Sequence, residues 1–247
     1  MLGNAICAEL LKLRRSNLLL PVIGLPILGV LLGAGNYFVN RAALSMPQWQ
    51  ALWTQVAIFY GYFFYPILLA ICAAYLWRVE HTNHNWNPLM TNPVPIRTVF
   101  LSKLALLIFI GLAVQLFLML LYRLTGQVIF RFTDPFPLGM ACQWVLFGWL
   151  AGIPVSAMQL LLSMWIRSFS IPIGISLGCC ILGIGFFAAG AAECFPNSLL
   201  IIGVGAADAT ALSPGTMRAI VLVSALYTLL FCTIATVYLK KKDIVSL

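Results

Sequence analysis

Two groups of residues in this chain have the types and spacing that catalytic or metal sites use. Gly174, Ser176 and Gly178 match the G-x-S-x-G pattern of a serine nucleophile, which needs a strand-to-helix turn and a histidine base. The pentapeptide lies in a long apolar run that contains no histidine. His81 and His84 have the H-x-x-H spacing of two metal ligands, but no third ligand type follows at a suitable spacing. We therefore expect no catalytic residue and no metal site, and a membrane-embedded enzyme is the least favoured function.

The chain also lacks the sequence that binds a nucleotide. A P-loop requires Gly-Lys followed by Ser or Thr, and no Gly-Lys dipeptide occurs in the chain. The apolar runs carry no deeply placed Asp, Glu, Lys or Arg, whereas ion-coupled carriers usually bury such groups near the bilayer midplane. We expect no cofactor in this chain, and a process powered from outside the bilayer suits it better than ion-coupled transport.

One polar segment, residues 78–99, has the composition of a surface that another protein binds. It is rich in Asn and Pro and contains Trp86 and Arg97, residue types that dominate the binding energy of many interfaces. A passive connector between two helices could be much shorter and needs no exposed tryptophan. We predict a short helix over 79–90 and an extended turn at 93–95. The alternative is that Trp86 is only a member of the aromatic belt at the membrane surface.

The composition indicates which elements must position these residues. Of the 247 residues, 62% are hydrophobic and 8% are charged, and the mean hydropathy is +1.02, which excludes a soluble globular domain. The uncharged runs are long enough to cross a bilayer as helices, and they lack the alternating polarity of barrel strands. We predict an all-α polytopic membrane protein with one transmembrane domain over 1–247. Its predicted spans are 18–39, 54–77, 104–122, 143–166, 171–192 and 219–239.

The distribution of basic residues predicts the orientation in the membrane. Six spans place both termini on the same side, and Lys and Arg are retained on the cytoplasmic side. With cytoplasmic termini, ten of the 14 Lys and Arg residues lie inside and four lie outside. We therefore predict a multi-pass plasma-membrane protein with both termini in the cytoplasm. The net charge of +8 reflects this topology and contact with anionic lipid headgroups of the bilayer, and no nucleic-acid partner is expected.

Two further apolar segments are not expected to cross the bilayer. Residues 1–16 have large apolar side chains at helical spacing and basic residues at their end, which predicts an amphipathic helix in the inner interface. This helix could be a topological anchor or have a mechanical role. Within 193–217, the apolar stretch 194–207 is only about 14 residues long and is broken by Pro196, Gly203 and Gly205, so it is too short to span and we predict an outer re-entrant segment over 193–217.

Small residues recur at a spacing that brings helices together. Gly29 with Gly33, and Gly174 with Gly178, have the G-x-x-x-G spacing that lets two helix backbones approach closely. We predict that these two pairs either pack helices within the chain or form the seam of a dimer.

Six spans, a basic amphipathic N-terminal helix and the loop after the second span together resemble a type-2 ABC transporter permease. More narrowly, residues 80–91 and the small size of the chain resemble the permease subunits of lantibiotic-immunity and bacitracin-resistance ABC transporters. The positions of the loop that match the family are Glu80, Trp86, Leu89, Pro93, Arg97 and Lys103.

This resemblance implies that the loop docks as a coupling helix on a cytoplasmic ABC ATPase dimer. ATP and Mg would be bound by that dimer, and a second permease copy or a different small permease would complete the complex. The implied function is ATP-driven export or expulsion of an amphipathic antimicrobial peptide such as a lantibiotic or bacitracin. A non-transporting membrane scaffold or sensor subunit is the alternative. The residues expected at the ATPase interface are Glu80, His84, Trp86, Leu89, Arg97 and Lys103.

Overall fold

The computed structural model describes residues 2–13, 17–81 and 96–241, so the predicted turn at 93–95 and most of the helix predicted over 79–90 lie outside the described residues. Every regular element in these ranges is helical, which confirms the all-α class. The π-helical segments Tyr60–Phe64 and Thr125–Ile129 and the 3₁₀ turn Ala192–Cys194 interrupt the α-helices. The α-helices are α1 (Leu2–Leu13), α2 (Leu19–Asn40), α3 (Gln48–Phe59), α4 (Tyr65–His81), α5 (Ile96–Leu124), α6 (Leu138–Trp165), α7 (Ser170–Ala188), α8 (Pro196–Gly203) and α9 (Pro214–Lys241).

Six helical stretches in the described ranges are long and apolar enough to cross a membrane, as a multi-pass protein requires. Each of the six predicted spans overlaps one of them. The stretches are Leu19–Asn40, Gln48–His81, Arg97–Ile129, Leu138–Trp165, Ser170–Ala188 and Pro214–Leu239.

Some helix limits differ from the predicted spans for local reasons. The second stretch starts at Gln48 rather than at 54, because the extended Pro47 begins the helix there, with its carbonyl accepting from the Ala51 amide at 2.9 Å. The fifth stretch, α7, ends at Ala188 rather than at 192. Gly190 has a φ of 72°, and the amide of Ala191 donates to the Phe186 carbonyl at 2.9 Å, so a left-handed glycine reverses the chain there.

The helices divide into a buried centre and an exposed periphery. Helices α3, α4 and α6 are largely buried within the chain, whereas α2, α7 and α9 expose most of their apolar side chains. Aromatic rings fill the centre: Trp53 and Trp144 stack with their ring centroids 4.7 Å apart, and Tyr122 packs edge-on against Trp53. The exposed apolar helices are available to lipid or to another membrane chain.

The segment predicted to be re-entrant contains the short helix α8. Eight residues at a rise of about 1.5 Å each cover far less than a hydrocarbon core of about 30 Å. Leu199 and Leu200 are fully buried, and the Trp53 indole nitrogen donates to the Val204 carbonyl at 2.9 Å. The helix therefore folds back against the bundle. Its location on the outer side of the membrane stays a prediction.

The ends of the spanning helices define two ends of the bundle. At one, which we call the α1 end, α2, α5 and α7 begin and α4, α6 and α9 end. Contacts hold these termini together: the His81 ring nitrogen Nε2 is 3.1 Å from the Ser163 carbonyl, and Trp165 packs against Tyr238. The other end, which contains α8, we call the far end.

Candidate functional site

Four charged side chains meet at the α1 end of the bundle. Glu9 and Lys12 lie on α1, Glu80 lies in the last turn of α4, and Lys103 lies near the start of α5. We call these four residues the ionic cluster. Because residues 82–95 connect α4 to α5, the cluster lies close to the two helix ends that this segment joins.

Acids and bases alternate within the ionic cluster. The Lys12 ammonium is 2.7 Å from Oε1 of Glu9 and 2.6 Å from Oε1 of Glu80. The Lys103 ammonium is 2.7 Å from Oε2 of Glu9 and 3.0 Å from Oε1 of Glu80. Each lysine therefore bridges the two carboxylates, and the two positive and two negative charges cancel.

Lys103 is the most deeply placed member of the cluster. Its side chain is 0% exposed, and its ammonium also donates to the Leu76 carbonyl at 3.0 Å and lies 5.2 Å from the ring centroid of Trp77. A buried ammonium is tolerated only when it is paired and hydrogen-bonded. The three oxygen acceptors match the three donors of the ammonium, so the site satisfies this charge completely.

Lys12 is the cluster member nearest to water, with a side chain that is 33% exposed. Burial alone lowers the pKa of Lys12, but the hydrogen bonds to Glu80 and Glu9 outweigh it, so the pKa of Lys12 is raised above its usual value. Lys12 is therefore charged at neutral pH. This charge keeps both carboxylates paired on the side that faces solvent.

The structure describes three of the residues expected at an ATPase interface and brings two of them together. Glu80 and Lys103 form one ion pair, and both are buried against helices of this chain. Arg97 lies in the first turn of α5 with an exposed side chain. Of these three, only Arg97 offers its side chain to a partner. The other expected residues, His84, Trp86 and Leu89, lie outside the described residues.

The structure places Glu80 and Lys103 in contacts within the chain. Their carboxylate and ammonium atoms are occupied by Glu9 and Lys12 of α1, so they hold the chain's own N-terminal helix. The resemblance to the permease family assigned both residues to an interface with the ATPase, and that assignment stays a prediction. Charged residues are mostly exposed, so the burial of these two is a finding of the structure.

Glu9 and Lys12 are the members of the site that the sequence analysis did not identify. A signal was present, because the chain has six acidic residues in all and Glu9 is the one acid in the apolar helix α1. An acid at i and a lysine at i+3 also form a local helical pair, as Glu9 and Lys12 do. Contact with Lys103, 94 positions away, could not be read from either pattern.

The two glycine pairs have different surroundings. A Cβ atom on Gly33 would lie 2.6 Å from the Val56 backbone nitrogen, and one on Gly29 would lie 3.4 Å from Phe64. This pair packs α2 onto α3 and its π-helical extension, within the chain. A Cβ atom on Gly174 or Gly178 would meet nothing within 4 Å. The face of α7 at that pair is open.

The serine of the G-x-S-x-G pattern is placed in the middle of α7. Ser176 is fully buried, and its hydroxyl donates to the Pro66 carbonyl at 3.4 Å. The pentapeptide is continuous helix and forms no strand-to-helix turn. Within the part of the chain that the structure describes, no group of three or more His, Cys, Asp or Glu residues could hold a metal ion.

Comparison with protein families gives one match. The family model described as "ABC-2 family transporter protein" matches residues 5–184, which run from α1 into α7 and include all four residues of the ionic cluster. No curated protein matches the chain.

Proposed function

The chain belongs to the ABC-2 family of transporter proteins, and on this premise we propose that segment 82–95 and the ionic cluster carry ATP-driven movement from a cytoplasmic ATPase into the membrane. Membership makes the chain a membrane permease subunit of an ABC transporter. The chain contains no P-loop, so ATP and Mg belong to the ATPase dimer of this proposal.

The observation that carries this proposal is the convergence of three helices on the ionic cluster. A partner that pulls or tilts segment 82–95 acts on the end of α4 at one side and on the start of α5 at the other. Glu80 lies in the last turn of α4 and Lys103 lies near the start of α5, and both form ion pairs with α1. Buried ion pairs resist separation, so the three helices should respond as one rigid body.

Arg97 and Trp86 are the residues that we assign to the docking contact itself. Arg97 is exposed in the first turn of α5, directly after segment 82–95 in the sequence, and a guanidinium can form two parallel hydrogen bonds to a carboxylate. Trp86 offers a large ring for a pocket on the ATPase. Together they form the anchor, and the ionic cluster forms the link from that anchor to the helices.

Loss of either anchor should uncouple the complex without unfolding the permease. With the chain and its ATPase in proteoliposomes, we expect Arg97→Ala and Trp86→Ala each to lower permease-stimulated ATP hydrolysis about tenfold, the effect of removing an interface hot spot. Arg123→Ala, an exposed arginine near the far end of α5, is the matched control and should leave stimulation unchanged. Equal stimulation in all three variants would refute the docking assignment.

The cargo that we propose is an amphipathic antimicrobial peptide, such as a lantibiotic or bacitracin. Residues 80–91 resemble the permeases of immunity and resistance transporters, and the long spans hold no charges deep inside them for a small ion. In the same proteoliposomes, the peptide should raise ATP hydrolysis and should become depleted from the membrane. If the ATPase binds the chain but the peptide changes neither the rate of ATP hydrolysis nor the amount of peptide in the membrane, the scaffold or sensor function would be favoured.

The orientation that we propose places the α1 end in the cytoplasm of a bacterial cell. Natural cysteines test it, because Cys7 on α1 and Cys194 at the far end are both exposed. In intact cells, a membrane-impermeant maleimide should label Cys194 and leave Cys7 unmodified, whereas permeabilised cells should show labelling of both. Variants Cys7→Ala and Cys194→Ala identify each site, with Cys142→Ala removing the other exposed cysteine at the far end. Labelling of Cys7 alone in intact cells would reverse the orientation.

A further inference from the structure

A cavity opens at the α1 end, where the start of α2 meets the end of α4 and the start of α7. Its volume is 380 Å³. Asn17, Arg78 and Phe169 line the part nearest the helix termini, and Pro21 and Ile71 line the part toward the spans. The cavity thus has polar side chains toward one side and apolar side chains toward the other, and it lies at the ends of the spanning helices.

The polar side of this cavity has the chemistry of an anion site. The guanidinium carbon of Arg78 lies 5.2 Å from the ring centroid of Phe169, which holds the guanidinium against a flat apolar wall. Asn17 and Tyr75 line the same cavity and contribute an amide and a phenol. A guanidinium carries five N–H donors in a planar fork that fits a phosphate, so Arg78 can bind an anion while making other contacts.

The apolar side continues along the outside of the bundle. Asn17 also lines a second cavity of 660 Å³, and Leu19, Leu20, Ile23 and Gly24 are the other lining residues within the part of the chain that the structure describes. Leu19 is 69% exposed and Leu20 is 80% exposed within the chain, so this wall can cover hydrocarbon. A soluble anion gains nothing from such a wall, whereas the acyl chain of a lipid can pack against it by van der Waals contact.

We propose that these two adjoining cavities bind an anionic phospholipid. Arg78, with Asn17 and Tyr75, receives the phosphate of the headgroup, and the groove beside Gly24 receives an acyl chain. The lipid would then lie between α2 and α4, next to the start of α2. None of the residues assigned to this site belongs to the ionic cluster, so this assignment does not depend on the proposed coupling.

Lipid retention by the full chain tests the assignment. The protein is purified in mild detergent, mixed with phosphatidylglycerol or phosphatidylcholine, and examined by native mass spectrometry. The wild-type chain should retain phosphatidylglycerol in preference to phosphatidylcholine. Arg78→Gln should lower phosphatidylglycerol retention about tenfold, as expected when a hydrogen bond to a charged group is lost. Arg41→Gln is the matched control, because Arg41 also lies over a ring, that of Phe38, at the far end.

A second variant keeps the charge and fills the groove. A Cβ atom on Gly24 would meet nothing within 4 Å, so Gly24→Phe should fold and should occupy the space assigned to the acyl chain. We expect it to reduce retention of phosphatidylglycerol as Arg78→Gln does. If Arg78→Gln fails to fold, retention of phosphatidylglycerol by Gly24→Phe tests the assignment by itself.

Four results would overturn the assignment. They are equal retention of the two lipids by the wild-type chain, equal effects of the two arginine variants, unchanged retention by Gly24→Phe, and displacement of the lipid by millimolar inorganic phosphate. The last would identify the site as one for free phosphate. A preference for phosphatidylglycerol that Arg78→Gln and Gly24→Phe both reduce, with Arg41→Gln unaffected, would support a lipid site.

Discussion

Replacing Lys103 with methionine is expected to destabilise the folded chain by about 3–5 kcal/mol, the cost of removing one partner from a buried ion pair. Methionine has a similar length and leaves no large cavity. The ammonium that bridges Glu9 and Glu80 is lost, and two buried carboxylates then face each other with Lys12 alone between them. Thermal unfolding in detergent should show a melting temperature lower by roughly 10 °C.

Two comparisons separate this effect from a general loss of charge. Arg97→Met, on the same helix but exposed, should change stability by no more than about 0.5 kcal/mol. Adding Glu9→Gln and Glu80→Gln to Lys103→Met removes the unpaired carboxylates and should recover part of the lost stability. A melting temperature for Lys103→Met equal to that of Arg97→Met would contradict the structural role of the cluster.

Replacing Gly33 with leucine is expected to separate α2 from α3 and to destabilise the chain by at least about 3 kcal/mol, at the upper end of overpacking effects. Even a Cβ atom at this position would lie 2.6 Å from the Val56 backbone nitrogen and 2.7 Å from a Val56 methyl group. Backbone cannot move aside as a flexible side chain can. Yield of monodisperse protein and its melting temperature measure the effect.

Gly174→Leu is the matched control for Gly33→Leu. Gly174 also belongs to a G-x-x-x-G pair, but the space beside it is open. Stability of the chain should be unchanged or slightly higher, since leucine is the better helix former. We propose that this open face of α7 meets the second permease, so Gly174→Leu should weaken assembly, measured by cross-linking in the membrane. Fully retained assembly would exclude this face as the seam, and unaltered stability of Gly33→Leu would exclude tight packing of α2 on α3.

The all-α class could be predicted from the sequence because hydropathy is a local property. A run of about 20 uncharged residues must satisfy its own backbone hydrogen bonds in hydrocarbon, and a helix does so without reference to the rest of the chain. The limits of the helices were less predictable. The second stretch begins at Gln48 and the third ends at Ile129, both beyond the predicted apolar runs. A helix can extend past hydrocarbon wherever packing and hydrogen bonds support it.

The sequence also predicted a group of interface residues near one polar segment, while leaving open the contacts made there. Glu80, Arg97 and Lys103 were all assigned to one interface with a partner. The structure leaves Arg97 exposed and turns Glu80 and Lys103 inward, onto Glu9 and Lys12. No local pattern encodes a contact between residues 94 positions apart. Such a contact exists only once α1 has packed against the bundle.

Composition and periodicity by themselves determined that this chain is a helical membrane protein with a polar segment between its second and third spans. Tertiary structure alone decided what each face of a helix touches. Gly33 and Gly174 share one spacing, yet the first is closed by Val56 and the second is open. Spacing along a helix sets which residues share a face, but burial of that face depends on distant helices, and the energy of a charge or a glycine contact depends on that burial.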